Sequence, residues 1–254
     1  MSTNPTANWP HGYGRQVLAT CDSTLSEAAR QASGLAGPTW ILSHMQTAGR
    51  GRRGRAWAMP MGNFAATLAV RLPDPPETVA LRSFVTALAL YDALVAATGR
   101  TAPFALKWPN DVLLNGGKLA GILLESAAAQ GGDVQLFIGV GVNLVGAPGK
   151  DEVEEGAVPP VDLVSETGVR VTPEEFLDLL AAAFNKYEQQ FQTYGFAPIR
   201  EAWLARAARL GETIRARTGN QEWHGTFETV DERGNLILVT AAGRMAIPAA
   251  DVFF

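Results

Sequence analysis

Gln46-Thr-Ala-Gly-Arg-Gly-Arg-Arg-Gly-Arg-Ala-Trp57 decides between two folds. Gly49-Arg-Gly51-Arg-Arg-Gly54 satisfies the G-x-G-x-x-G pattern of a dinucleotide-binding turn, and an apolar strand candidate, Trp40 to Met45, precedes it. That fingerprint needs a helix opening at its last glycine. Here Arg-Ala-Trp-Ala-Met-Pro-Met-Gly follows, and its proline and glycine argue against a helix. A doubly wound fold is set aside. What remains is a glycine-loosened loop with Arg50, Arg52, Arg53 and Arg55 in a chain of formal net charge -4. Guanidinium forks suit phosphate and carboxylate, so the loop reads as a lid for a polyanion, disordered until that anion orders it. A solvated charged turn and a nucleic-acid patch are the alternatives. The second lacks neighbouring basic and aromatic segments.

The 254 residues suffice for one large domain or a domain with a small module, and 47% hydrophobic with 18% charged residues is ordinary for a packed protein. One cysteine, Cys21, excludes an internal disulfide and fits a reducing compartment. The three histidines, His11, His44 and His224, lack metal-ligand spacing. Met1 to Gly14 has no apolar core of a signal peptide, and apolar runs such as Leu136 to Val142 suit strands rather than membrane spans. A cytoplasmic protein without a membrane partner is expected.

Outward from the arginine loop, Cys21 to Arg30 predicts a helix, with Thr24 and Glu27 at capping-box spacing. Strands are predicted at Trp40 to Met45 and Asn63 to Leu72, then a nearly all-round apolar helix, Glu77 to Thr98, destined for burial. Phe104 to Trp108, Val112 to Asn115, Lys118 to Ala127 and Val134 to Asn143 follow as strands, with Gly116-Gly117 and Gln130-Gly-Gly132 favouring hairpins. Gly146 to Thr167 reads as a long loop and Thr172 to Tyr194 and Ala197 to Arg209 as helices. From Gly211 come short strands, Thr213 to Thr218, Glu222 to Val230, Asn235 to Thr240 and Arg244 to Ile247, with turns at Gly219-Asn220, Glu232-Arg-Gly234 and Ala242-Gly243. The organisation is an α+β domain, residues 1–209, with a central mixed, largely antiparallel sheet, then a small β-barrel over 210–254.

A second constellation is Lys107-Trp-Pro-Asn-Asp111, followed by Gly116-Gly-Lys118-Leu-Ala-Gly121-Ile-Leu-Leu-Glu125. Lysine and aspartate seldom sit in apolar strands without a partner or a function. A salt-bridged strand end is the plain alternative. A phosphate-binding P-loop is excluded, because Leu119 follows Gly117-Lys118 where Ser or Thr is required.

Together these residues resemble the biotin protein ligases. The Gly49 to Gly54 lid, the Lys107 to Asp111 block, the Lys118-Leu-Ala-Gly-Ile-Leu123 strand and Gly139-x-Gly-x-Asn143 match family motifs in order, and the resemblance is strong from Asp22 to Asn143. It implies a catalytic domain followed by an SH3-like barrel. It also implies synthesis of biotinyl-5′-AMP from biotin and MgATP, then transfer of biotin to a lysine of a biotin carboxyl carrier protein. The family's repressor members carry an N-terminal helix-turn-helix domain. Only about twenty residues precede Asp22-Ser-Thr24 here, so no specific DNA partner is expected. Bacterial relatives commonly dimerise through their sheet, which keeps a homodimer among the expectations.

The resemblance assigns Ser23, Thr24, Leu25, Gln46, Arg50, Gly51, Arg52, Lys118 and Gly121 to biotin. Leu25 departs from the family's usual asparagine. Arg53, Arg55, Trp57, Lys107, Asn110 and Asn143 fall to ATP and the adenylate, and Asn110 with Asp111 to Mg²⁺. Lys118, Arg52 and Lys107 are the expected catalytic set, since a carboxylate attacking a phosphate needs its charge neutralised. A lipoate or octanoate ligase of the same fold is the nearest alternative. A non-catalytic adenylate- or RNA-binding module is the alternative from another class.

Overall fold

The computed structural model describes residues 9–149, 156–218 and 221–254. Its main sheet has seven strands: β1 (Gly14–Leu18), β2 (Thr39–Ser43), β3 (Phe64–Leu72), β4 (Phe104–Lys107), β5 (Asp111–Leu114), β6 (Gly117–Ala128) and β7 (Val134–Val142), in the order β1-β2-β3-β7-β6-β5-β4. Only β1 and β2 pair in parallel; β2 to β7 pair antiparallel. The mixed, largely antiparallel sheet expected from the hairpin signals is present. The edge strand β1 was not foreseen.

Alternation along the strands sorts the sheet into two faces. Trp40, Leu42, Leu68, Leu136, Ile138 and Ile122 belong to the large core. That core is roofed by α3 (Arg82–Thr98) and α5 (Pro173–Tyr194), with α2 (Pro76–Ala80), α4 (Leu163–Thr167) and α6 (Phe196–Leu204) around them. Ile41, Ala69 and Phe137 point the other way and meet Leu25 and Ala28 of α1 (Thr24–Gln31). One short helix covers only part of that second face, and the rest is open for a cleft.

The predicted Glu77 to Thr98 helix is two, α2 and α3, joined through Leu81. The segment Pro76–Thr98 is long and apolar enough to cross a membrane, yet 67% of its most apolar window is buried in the protein. It is a core helix. The α5 start carries a capping box between Thr172 and Glu175. The box expected at Thr24 and Glu27 is absent: Ser23 is the N-cap, Glu27 donates its amide to the Ser23 carbonyl at 2.9 Å, and the Thr24 side chain is engaged elsewhere. Part of the predicted Gly146 to Thr167 loop becomes α4; residues 150–155 of it, and the Gly219-Asn220 turn, lie outside the described residues.

The second sheet is antiparallel, β11-β10-β9-β8-β12, from β8 (Thr213–Thr218), β9 (Gln221–Val230), β10 (Leu236–Thr240), β11 (Gly243–Ile247) and β12 (Asp251–Phe253). Sequence reading missed β12, a three-residue strand too short to show alternation. The main sheet bridges the segment after α6, where Leu106 pairs with Ala207, and reaches the β9–β10 turn through Trp108, whose Nε1 donates to the Gly234 carbonyl at 3.0 Å.

Candidate active site

The floor of the cleft is a patch of missing side chains. Gly121 of β6 faces Gly141 of β7 in register, and Leu123 faces Gly139. A Cβ at 141 would stand 2.5 Å from the Trp57 ring, and one at 139 would stand 2.9 Å from Leu25. Glycine is required there so that an indole and an isobutyl group can lie flat on backbone. Leu25 is 4% exposed and belongs to the small core. It therefore walls the cleft through packing, where an asparagine would offer an amide.

One cavity of about 740 Å³ opens above this floor. At one end Ser23, Thr24 and Gln46 line it. The Gln46 Oε1 accepts from the Thr24 amide at 2.8 Å and its hydroxyl at 3.2 Å, and Thr67 of β3 donates to the Thr24 hydroxyl at 2.8 Å. Ser23 and Thr24 are only 2% and 3% exposed, so this is a dry polar end suited to a small neutral polar head.

The opposite wall carries charge. Lys107, Asp111 and Lys118 converge from three neighbouring strands, β4, β5 and β6. A regular strand would put Lys118 and Gly121, three residues apart, on opposite faces. The β5–β6 register slips between Val112 and Leu113, pairing them with Ala120 and Lys118 and leaving Leu119 as the extra residue of a bulge. Lys118 is thereby turned to the cleft, its Nζ 2.7 Å from Asp111 Oδ1, while Lys107 Nζ lies 3.7 Å from Oδ2. Burial alone would raise the Asp111 pKa, but Lys118 and Lys107 overcome it and hold the carboxyl below its ordinary range. Burial pushes the Lys107 ammonium down, with Asp111 opposing.

The arginine loop is a small hairpin. Gly51 donates to the Arg55 carbonyl at 2.7 Å and Trp57 to that of Gly49 at 2.9 Å, with Arg50 opposite Ala56. At its tip Arg53 and Gly54 both take positive φ, 56° and 73°. The loop expected to be disordered takes a defined hairpin in which carboxylates offset the crowding of its arginines. Asp251 of β12 lies 3.7 Å from Arg52, 2.5 Å from Arg53 and 3.1 Å from Arg55. Arg50 is held bidentately by Glu125 of β6, at 3.0 and 2.8 Å. Burial lowers the pKa of Arg52. Neither carboxylate was foreseen; Glu125 is 75 residues from its partner and Asp251 almost 200.

Of the expected site residues, Leu25, Arg50, Gly51, Arg52, Arg55, Trp57, Lys107, Asn110, Lys118, Gly121 and Asn143 join Ser23, Thr24 and Gln46 around the cavity. Arg53 instead spends its guanidinium on Asp251. The Asn143 amide nitrogen donates to the Val161 carbonyl at 3.1 Å, and its buried Oδ1 has no hydrogen-bond partner among the described residues. That oxygen can receive an N–H from a ligand. The expected Mg²⁺ pair is not a preformed metal cage, and among the described residues only its Asn110 Oδ1 is left without a commitment to another side chain or to the backbone. Asp111 is committed to two ammonium groups, and Asn110 donates its amide to the Ile122 carbonyl at 2.6 Å. No group of three or more His, Cys, Asp or Glu able to hold a metal occurs among the described residues.

The chain matches the biotin/lipoate A/B protein ligase family over residues 17–143 and the biotin protein ligase C-terminal domain over residues 210–254. It is 60% identical to a biotin–[acetyl-CoA-carboxylase] ligase of Paracoccus denitrificans, over 94% of this chain and 99% of that one. The chain belongs to the biotin protein ligase family. A bifunctional ligase/repressor of Bacillus subtilis is 30% identical over 95% of this chain and 73% of its own length. Among solved structures, a biotin protein ligase from Aquifex aeolicus in complex with biotin and ATP superposes with a TM-score of 0.75, at 25% identity over 94% of this chain and 97% of that one. Family membership accounts for the mixed sheet with its helices and for the separate small antiparallel sheet that follows.

Proposed function

We infer that this cavity joins biotin to ATP and passes the activated biotin to a lysine of a biotin carboxyl carrier protein. In the first step a carboxylate oxygen of biotin attacks the α-phosphorus, an acyl–phosphate bond forms, and pyrophosphate leaves. In the second the neutral ε-amine of the acceptor attacks the acyl carbon, an amide forms, AMP leaves and a proton is released. ATP supplies the activation, so no nucleophilic side chain is needed.

The observation that carries this reading is the Lys118–Asp111 pair beside the arginine lid. Two anions must be brought together, and fixed cations in a water-poor site lower that cost. Asp111 holds Lys118 aimed at the cleft, where it meets the biotin carboxylate and the α-phosphate. Lys107, poorly solvated as an ammonium, gains most from a polyphosphate partner. Arg52 and Arg55 add charge from the lid. The ureido head of biotin, a small neutral group with donors and an acceptor, suits Ser23, Thr24 and Gln46. Trp57 packs beside the adenine, and Asn143 Oδ1 accepts from the adenine amino group. Any Mg²⁺ that accompanies ATP would be held by phosphate oxygens and water.

The reaction needs ATP, which fits a cytoplasmic protein. A net charge of -4 gives DNA little to hold, and a gel shift at physiological salt should show no sequence-dependent complex. ATP–pyrophosphate exchange tests the main reading. Biotin-dependent exchange is expected; exchange driven by lipoate or octanoate instead would reassign the substrate, and none with either would leave a binding module.

A further inference from the structure

Arg50 differs from the other lid arginines. Its guanidinium is satisfied before any ligand arrives: Nε and one terminal nitrogen reach the two oxygens of Glu125 at 3.0 and 2.8 Å, and the other terminal nitrogen donates to the Ser26 hydroxyl at 2.7 Å. Glu125 stands on β6, four residues along from Gly121 and on the same face as the cleft floor. Ser26 stands on α1, two residues beyond Thr24. One side chain therefore ties the lid, the floor and the polar end of the cavity together.

The backbone of Arg50 is placed differently from its side chain. Arg50 and Ala56 form a non-hydrogen-bonded pair of the hairpin, since the flanking bonds run from Gly51 to Arg55 and from Trp57 to Gly49. In such a pair the amide and carbonyl of Arg50 point away from the partner strand. A residue of the cavity wall thus presents backbone polar groups outward while its charge is neutralised behind it.

We propose that Glu125 is a positioning residue of the ligase reaction: by clamping Arg50 against β6 and α1 it seats the base of the lid, so that the Arg50 backbone faces biotin while the tip arginines stay exchangeable. This rests on the ligase reading above. Among the described residues Asp251 serves all three guanidinium groups of the tip, and a polyphosphate can compete with it. The base has a bidentate pair to itself and a hydroxyl besides, and remains in place when the tip changes partners. A lid hinged this way keeps the mixed anhydride covered between the two steps.

The test uses the full chain with biotin, ATP and a carrier protein, and compares wild type with Glu125→Gln and Glu125→Asp. Released biotinyl-AMP is read as biotin on the lysines of a bystander albumin, alongside the biotin KM, kcat and melting temperature. Glu125→Gln should raise both release and biotin KM about fivefold, the scale of one charge-assisted pair, with kcat and melting temperature nearly unchanged. Glu125→Asp, which keeps the charge, should recover part of the loss. Wild-type release and KM in Glu125→Gln, or changes that merely follow a lost melting temperature, would overturn the proposal. Should Glu125→Gln fail to fold, Ser26→Ala reads the same clamp, and wild-type release from it is equally fatal. A wild-type chain without biotin-dependent exchange removes the ligase reading itself and this inference with it.

Discussion

The Trp57 ring lies where a side chain at Gly141 would have to be, 2.5 Å from an added Cβ. The contact joins the arginine loop to the centre of the sheet and makes one glycine a sensor of where the indole lies. Gly141→Ala must push the indole away, because the backbone of β7 is paired on both sides and cannot retreat. Overpacking of this kind costs about 1–3 kcal/mol, so the ATP KM should rise about tenfold. Pyrophosphate release against ATP concentration measures it. An unchanged KM would remove Trp57 from the nucleotide site.

Lys118→Gln keeps most of the side chain and deletes the charge. Adenylate formation should fall about 10²–10³-fold, the usual effect of losing one transition-state donor. Biotin binding measured alone should weaken much less. Near-normal pyrophosphate exchange in the variant would take Lys118 out of the catalytic set.

Asp111→Asn leaves Lys107, 8% exposed, without its anion. Breaking a buried pair from one side costs about 3 kcal/mol. The pH dependence has a definite sign. Asp111 has a folded pKa below its ordinary 3.8, so its contribution is present above 3.8 and disappears as pH falls through the lowered value. Denaturant unfolding should show the full gap between wild type and variant at neutral pH and a shrinking gap below about pH 4. A gap that stays constant into strong acid would mean that the carboxylate is not paired in the folded protein.

Asp251→Asn strips the lid tip of its shared carboxylate. Trypsin should then cleave after Arg53 and Arg55 about tenfold faster, since local opening governs such cuts. Biotin with ATP should restore protection, phosphate replacing the lost anion. Equal cleavage of variant and wild type would show that β12 does not hold the tip.

Much of this site was legible because its residues are local in sequence. The Lys107 to Asp111 turn, the Gly139 to Asn143 strand and the arginine loop announce themselves by residue types that an apolar strand or an ordinary turn would not carry. The elements of the main sheet followed from alternation and from glycine pairs at the turns. What stayed hidden depends on distant pairing. Nothing near Asp251 signals an arginine partner almost 200 residues away, and Glu125 reads as the polar end of a strand until Arg50 is folded onto it. The Leu119 bulge is equally silent, since it exists only in the register with β5. Thr24 misled for a related reason: its spacing to Glu27 fits a cap, but Gln46 and Thr67 claim its hydroxyl.

The two faces of β6 and β7 answer to different demands. Ile122, Leu136, Ile138 and Val140 fill the main core, while Gly121, Gly139 and Gly141 alternate with them under the cleft. A saturation scan along these strands should therefore beat with a period of two. One set of positions would be scored by heat and indifferent to which acid is offered; the interleaved set would be scored by substrate and comparatively indifferent to heat. Re-engineering the chain for a different carboxylic acid can be confined to the second set, leaving the first untouched.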